Sequence, residues 1–252
     1  MPADDVRQFR GELDRFLNEE DELGQKWGDA RWGVYAFYDY DGEPIYVGQT
    51  NEMLRVRVRR HLTNQRTDAV AMRILDVFEV AECEIWPLWN YQLLTKKTEL
   101  NKAEYEAAQA DLNAHEYTAY LQAIANSRFK AILNEKIPPI SESVALPASL
   151  RWKLIDDNTR AERGHPDIRI ARRAETISRL AAVARERGEV SDGLRRVLVI
   201  QAVRLAYLSA ERLAYVEGRP APDPSAIRVE GLVGSVLYEF DEDALTDEEI
   251  GL

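Results

Sequence analysis

The chain has 252 residues, 45% of them hydrophobic, and a formal net charge of −11. That length fits one large domain or two small ones with an ordinary apolar core; no apolar run nears a membrane span and no signal-peptide pattern opens the chain, so a cytoplasmic protein without membrane association is expected. A single cysteine excludes an internal disulfide, and with only three histidines in the chain it argues against a structural zinc site.

The first 30 residues read as an N-terminal helical segment, with Val6, Phe9, Leu13, Phe16 and Leu17 on the helical period. Residues 33–38, Gly-Val-Tyr-Ala-Phe-Tyr, are rich in β-formers, and 45–48, Ile-Tyr-Val-Gly, resume a strand after a turn marked by Asp41-Gly42 and Pro44. Period-two alternation groups Tyr35 with Gly33 and Phe37, and Tyr46 can share that face if the register permits. Either tyrosine alone would read as sheet packing; the pair, each beside a glycine, is more informative.

Residues 54–62 form a helix with Leu54, Val58 and Leu62 on one stripe. Arg57 and His61 stand one turn apart on one border of that stripe, where core meets cleft. Arg55 and Arg59 lie on the other border and Arg60 points outward. These three read as a solvated basic face that still suits phosphate contacts. A third strand is expected near 82–88, with Cys83 in its core.

The stretch 89–110 reads as a charged helical insertion. A further helix is expected over 111–125, capped by Asn113. On its wheel Glu116 falls in the middle of the apolar face, flanked by Leu112, Ala119 and Ala123 on one side and Tyr120 and Ile124 on the other. A buried carboxylate is costly unless paired or bound to metal, so Glu116 is either a metal ligand or half of an internal ion pair. His115 projects elsewhere and reads as a rim residue. Downstream, the segment 127–134 ends in Asn134, and Asn126 lies just before it.

The ordered set Gly33-Val34-Tyr35, Tyr46-Val47-Gly48, Arg57, His61, Glu116 and Asn134 resembles the GIY-YIG nuclease superfamily over residues 33–134. The histidine resembles that of its type II restriction endonuclease branch. Valine stands for isoleucine in both tripeptides. The resemblance implies an α/β (α+β) fold with a small antiparallel three-stranded sheet flanked by helices. It also implies a metal-dependent endonuclease cutting DNA to 5′-phosphate and 3′-hydroxyl ends, with Mg²⁺ as cofactor and Mn²⁺ as a substitute. Tyr35 would be the general base, His61 its proton relay, Arg57 the phosphate ligand and Glu116 the metal ligand, with Tyr46 and Asn134 orienting the phosphate. Gln49, Arg55, Arg59, Arg60, Arg128 and Lys130 are candidates for DNA contact. A repair-type or structure-specific nicking enzyme, and a catalytically silent interaction module, are the alternatives.

The charge distribution bears on a DNA partner. Residues 1–50 carry 5 basic and 12 acidic side chains, 51–140 carry 12 of each, and 141–228 carry 16 basic against 12 acidic. Residues 229–252 have 8 acids and no base, so the acidity sits at the two ends and the middle is neutral to basic. Phosphate contacts depend on the local field, and the global sign does not exclude them. Residues 31–139 are thus expected to form the nuclease core, with its insertion near 89–111. Pro138 to Pro147 forms a hinge, and 148–240 is a helical C-terminal region. Residues 150–156 read as a short amphipathic element, and 166–187 and 192–217 as long helices serving packing or a homodimer contact. Arg169, Arg172, Arg173 and Arg179 are the alternative DNA-lining set there, and 241–252 is an acidic tail.

Overall fold

The computed structural model describes residues 3–63, 76–188 and 190–238. Strand β1 (Gly33–Tyr38) pairs antiparallel with β2 (Pro44–Thr50) on one side and β3 (Glu82–Pro87) on the other. The expected third strand therefore gains a neighbour: β4 (Leu150–Lys153) pairs with β3, and the sheet has four strands in the order β2-β1-β3-β4. Four residues with alternating half-buried and exposed positions carry little strand signal by themselves, which is why 150–156 read only as a short amphipathic element.

Helix α1 (Ala3–Asn18) is shorter than the 30 residues its pattern suggested, because Glu19 to Ala30 turn through a bridge and a 3₁₀ turn. It buries Phe9, Leu13, Phe16 and Leu17 against the core. Helix α2 (Leu54–Leu62) buries Leu54, Val58 and Leu62 as its period requires. Helix α3 runs unbroken from Lys102 to Asn126. The stretch expected as a separate helical insertion is instead a 3₁₀ turn at Trp89–Tyr91, an irregular connection and the first two turns of α3. Asn113 consequently sits inside the helix and caps nothing; the N-cap position belongs to Asn101. His115 is buried rather than at the rim, its Nδ1 lying 2.8 Å from the Asp111 carbonyl oxygen.

The C-terminal region contributes α4 (Asp157–Arg163), α5 (Pro166–Arg187), α6 (Asp192–Val216) and the single turn α7 (Glu230–Val233). Two of these follow the sequence expectation closely, but Arg169 and Arg173 of the arginine set on α5 are buried in ion pairs and not free to line DNA. Arg169 and Arg173 are buried, and each donates to Asp39 Oδ2 at 2.9 Å. Arg169 also meets Asp41 at 2.6 Å, and Arg173 Nε lies 3.3 Å from Glu79. Arg172 donates to the Phe78 carbonyl, and Arg179 pairs with Glu175. From α6, the fully buried Arg204 lies 3.8 Å from Asp39 and 3.7 Å from Glu43. Asp39 Oδ1 in turn accepts from the Asp41 and Glu43 amides. One aspartate thus shapes the β1–β2 turn and ties it to two C-terminal helices. Burial works against the Asp39 charge, yet Arg169, Arg204 and Arg173 outweigh it and hold the carboxyl below its ordinary range.

No helix among the described residues is long and apolar enough to cross a membrane. The acidic tail, 241–252, lies outside the described residues.

Candidate active site

The β1–β2 register sets Tyr35 opposite Gly48 and Phe37 opposite Tyr46, so the two tyrosines are diagonal neighbours on one face. Their ring centroids are 6.1 Å apart, and His61 reaches in from α2 at 5.5 Å from Tyr35 and 5.4 Å from Tyr46. Gly48 makes this possible: a Cβ there would stand 2.6 Å from Tyr35 Oη and 2.9 Å from Tyr46 Cε1. Gly48→Ala is therefore expected to force both phenols out of place. It should cost about 1–3 kcal/mol in denaturant titrations, and the catalytic loss in the same preparation should exceed what unfolding explains.

The Tyr35 hydroxyl lies 2.9 Å from His61 Nε2 and accepts from Arg57 Nε at 3.2 Å. A guanidinium only donates, so the phenol keeps its own proton for the imidazole, which fits His61 with Nε2 unprotonated. Tyr35 is fully buried while Tyr46 and His61 are half-buried. Burial, and next the charge on Tyr46, push the Tyr35 phenol well up, with Arg57 pulling the other way. The resting group is a phenol, not a phenolate.

Glu116 comes from the middle of α3 and is 9% exposed. Burial pushes its carboxyl up to about 7, against the positive charge of Arg57 and hydrogen bonding from the Gln49 side chain and backbone. It makes no salt bridge of its own among the described residues, so the internal ion pair that sequence left open is not formed. Arg57 faces both Tyr35 and Glu116 electrostatically and links the phenol cluster to the acid.

The remaining candidates divide. Asn134 is buried, but its amide is consumed by the sheet: Oδ1 accepts from Val47 N at 3.0 Å, and Nδ2 donates to Val47 O at 2.8 Å. With Leu133 N donating to Ile45 O, it covers the outer edge of β2 and holds the strand that carries Tyr46 and Gly48. Asn134 thereby positions β2, with one bond made at each end of its amide. Gln49 is at the site. Arg55 is tied to Asp29 and the Leu17 carbonyl, Arg59 to Asp14 and Arg60 to Glu52, so the outer basic face of α2 is largely internally neutralised. Arg128 and Lys130 lie at the hairpin-turn end, Arg128 against Glu43 and Lys130 Nζ on the Ala125 carbonyl, away from the phenol cluster. Sequence reasoning missed what Asn113 does: with Gln109 it meets Gln49 beside Glu116. Its position three residues before the carboxylate was the available signal.

A divalent cation suits this donor set. No group of three or more His, Cys, Asp or Glu gathers among the described residues. Mg²⁺, however, is commonly held by one or two carboxylates, with water and substrate phosphate completing the shell. A buried carboxylate without an ion pair is a fitting first ligand.

Residues 31–110 match the family model of the GIY-YIG catalytic domain, which indicates a nuclease of that superfamily. The matched stretch spans β1, β2, α2 and β3 and ends within α3, six residues before Glu116. No curated protein and no solved structure matches the chain.

Proposed function

We propose that this nuclease hydrolyses phosphodiester bonds in duplex DNA with the aid of Mg²⁺ bound at Glu116, in the manner of a restriction endonuclease acting as a dimer. The observation that carries this reading is the Tyr35–His61–Arg57 hydrogen-bonded set standing beside a buried carboxylate that has no salt-bridge partner among the described residues. Tyr35 Oη takes the proton of the attacking water while its own proton passes to His61 Nε2, 2.9 Å away. A relay of this kind needs no free phenolate, which the burial of Tyr35 disfavours. Arg57 offers its Nη groups to the phosphate and opposes the charge that builds on it in the transition state. Tyr46, half-buried on the same face as Tyr35, orients the attacked group. When bound, the metal supplies polarisation of the phosphate and stabilisation of the leaving oxygen. Mn²⁺ would serve the same hard-oxygen donor.

A plasmid cleavage assay with Mg²⁺, run beside Glu116→Ala, tests the reading. Discrete fragments support restriction-type cleavage, nicking confined to damaged or branched DNA supports a repair-type enzyme, and no Glu116-dependent cleavage removes the catalytic reading. Tyr35→Phe is expected to lower turnover by about 10²- to 10⁴-fold while DNA binding is retained. Wild-type rates in that variant would remove Tyr35 as the base.

A further inference from the structure

Beside the acid runs a set of neutral amides that the chemistry above does not use. Tyr105, Gln109, Asn113 and Glu116 recur along one side of α3 at spacings of four, four and three residues. Gln49 Nε2 and Gln109 Nε2 both donate to Asn113 Oδ1, at 2.9 and 3.1 Å. Asn51 Nδ2 reaches Tyr105 Oη at 3.1 Å and Gln109 Oε1 at 3.4 Å. These groups are half-buried or, for Asn51, exposed. Asn113 Nδ2 and Asn51 Oδ1 bond to no group among the described residues, which leaves a donor and an acceptor at the surface of the network. Locking α3 to β2 does not account for this, since Ala108, Leu112, Ala119 and Ala123 already provide that helix with a buried apolar side.

We infer that this amide row reads base edges in the DNA groove next to the scissile phosphate, and that Gln109 and Asn113 set the sequence preference of the enzyme. The inference rests on the nuclease reading above. Neutral amides offer phosphates no charge, but the outward Asn113 Nδ2 can donate to adenine N7 and the outward Asn51 Oδ1 can accept from adenine N6 in the major groove, which admits a helix, while Gln109, bonded to both side chains, fixes their spacing. At about 1.5 Å per residue, Asn113 lies about 4.5 Å and Gln109 about 10 Å along the helix from Glu116. With base pairs about 3.4 Å apart, that reach covers roughly the first three pairs beside the cut.

The test uses the full chain and its Gln109→Ala and Asn113→Ala variants, each checked for folding by circular dichroism. A duplex library randomised around the cleavage point is digested with Mg²⁺ and the product ends are sequenced. Duplexes retained by each protein in Ca²⁺ are sequenced in parallel, so that preference is also read in binding. The wild type should favour adenine within about three pairs of the cut, and each variant should lose that preference at one position by roughly ten- to a hundredfold. Variants with the wild-type preference overturn the inference, as does a wild type that cuts without preference at those pairs; both results leave the nuclease reading standing. A wild type that neither cuts nor retains any duplex overturns both.

Discussion

Glu116→Gln is expected to lower phosphodiester cleavage by about 10³-fold or more while making the folded chain more stable at neutral pH. The first effect follows from removing the only carboxylate proposed to hold the metal, whose stabilisation of transition-state charge amounts to several kcal/mol. The second follows from burial. The Glu116 carboxyl stands at about 7 in the fold against an ordinary 4.5. A raised acid contributes its full stability below the unfolded value and loses it as pH rises through the folded one. Between pH 4.5 and 7 the wild type should therefore lose on the order of 2–3 kcal/mol through this group alone. Glutamine has no charge to desolvate, so calorimetric melts should separate the two proteins at pH 8 and bring them together near pH 4.5. Mg²⁺ should raise the melting temperature of the wild type at pH 8 and leave the variant unmoved. Equal pH dependence in both proteins would show that Glu116 is not the buried, metal-poised acid described here. Because the metal and the proton compete for one carboxylate, the Mg²⁺ concentration needed for cleavage should rise about tenfold per pH unit below 7.

The second large effect concerns the fold. Asp39→Ala leaves Arg169, Arg173 and Arg204 facing one another in the interior with less negative charge between them, and it removes the acceptor for two turn amides. Breaking a buried ion cluster from one side costs about 3–5 kcal/mol. Urea titrations at pH 7 should show a loss of that size. Since Asp39 is held below its ordinary range, the wild-type advantage is present above the unfolded carboxylate value and disappears as pH falls through the folded one. A loss under about 1 kcal/mol at pH 7 would mean that the arginines find other partners at little cost.

How much of this was legible beforehand depended on whether a residue's role is set by near neighbours or by distant ones. The hairpin was readable because Asp41-Gly42 and the period-two aromatics are local signals. Helix α2 was readable because Leu54, Val58 and Leu62 form a stripe, which also placed Arg57 and His61. Glu116 stood out as an acid among apolar positions of its own helix. The roles that escaped are long-range. Nothing near Arg169 or Arg173 tells that their acids lie 90 to 134 residues earlier, so the cluster read as a DNA surface. The bond of Asn134 to Val47 of β2 was hidden because the two are 87 residues apart. The start of α3 was blurred because Lys102, Ala103, Glu104, Glu106 and Ala107 are exposed and only Tyr105 and Ala108 mark a packed side.

The strip of chain at Leu133 and Asn134 also limits how two protomers can meet. Its bonds to Ile45 and Val47 occupy the hydrogen-bonding groups through which β2 would otherwise accept a foreign strand. A homodimer built by joining sheets is closed off on that side, and the short β4 at the opposite margin carries Arg151 and Lys153, which discourage such pairing. A dimer of the proposed kind would therefore be joined by elements other than these two sheet edges.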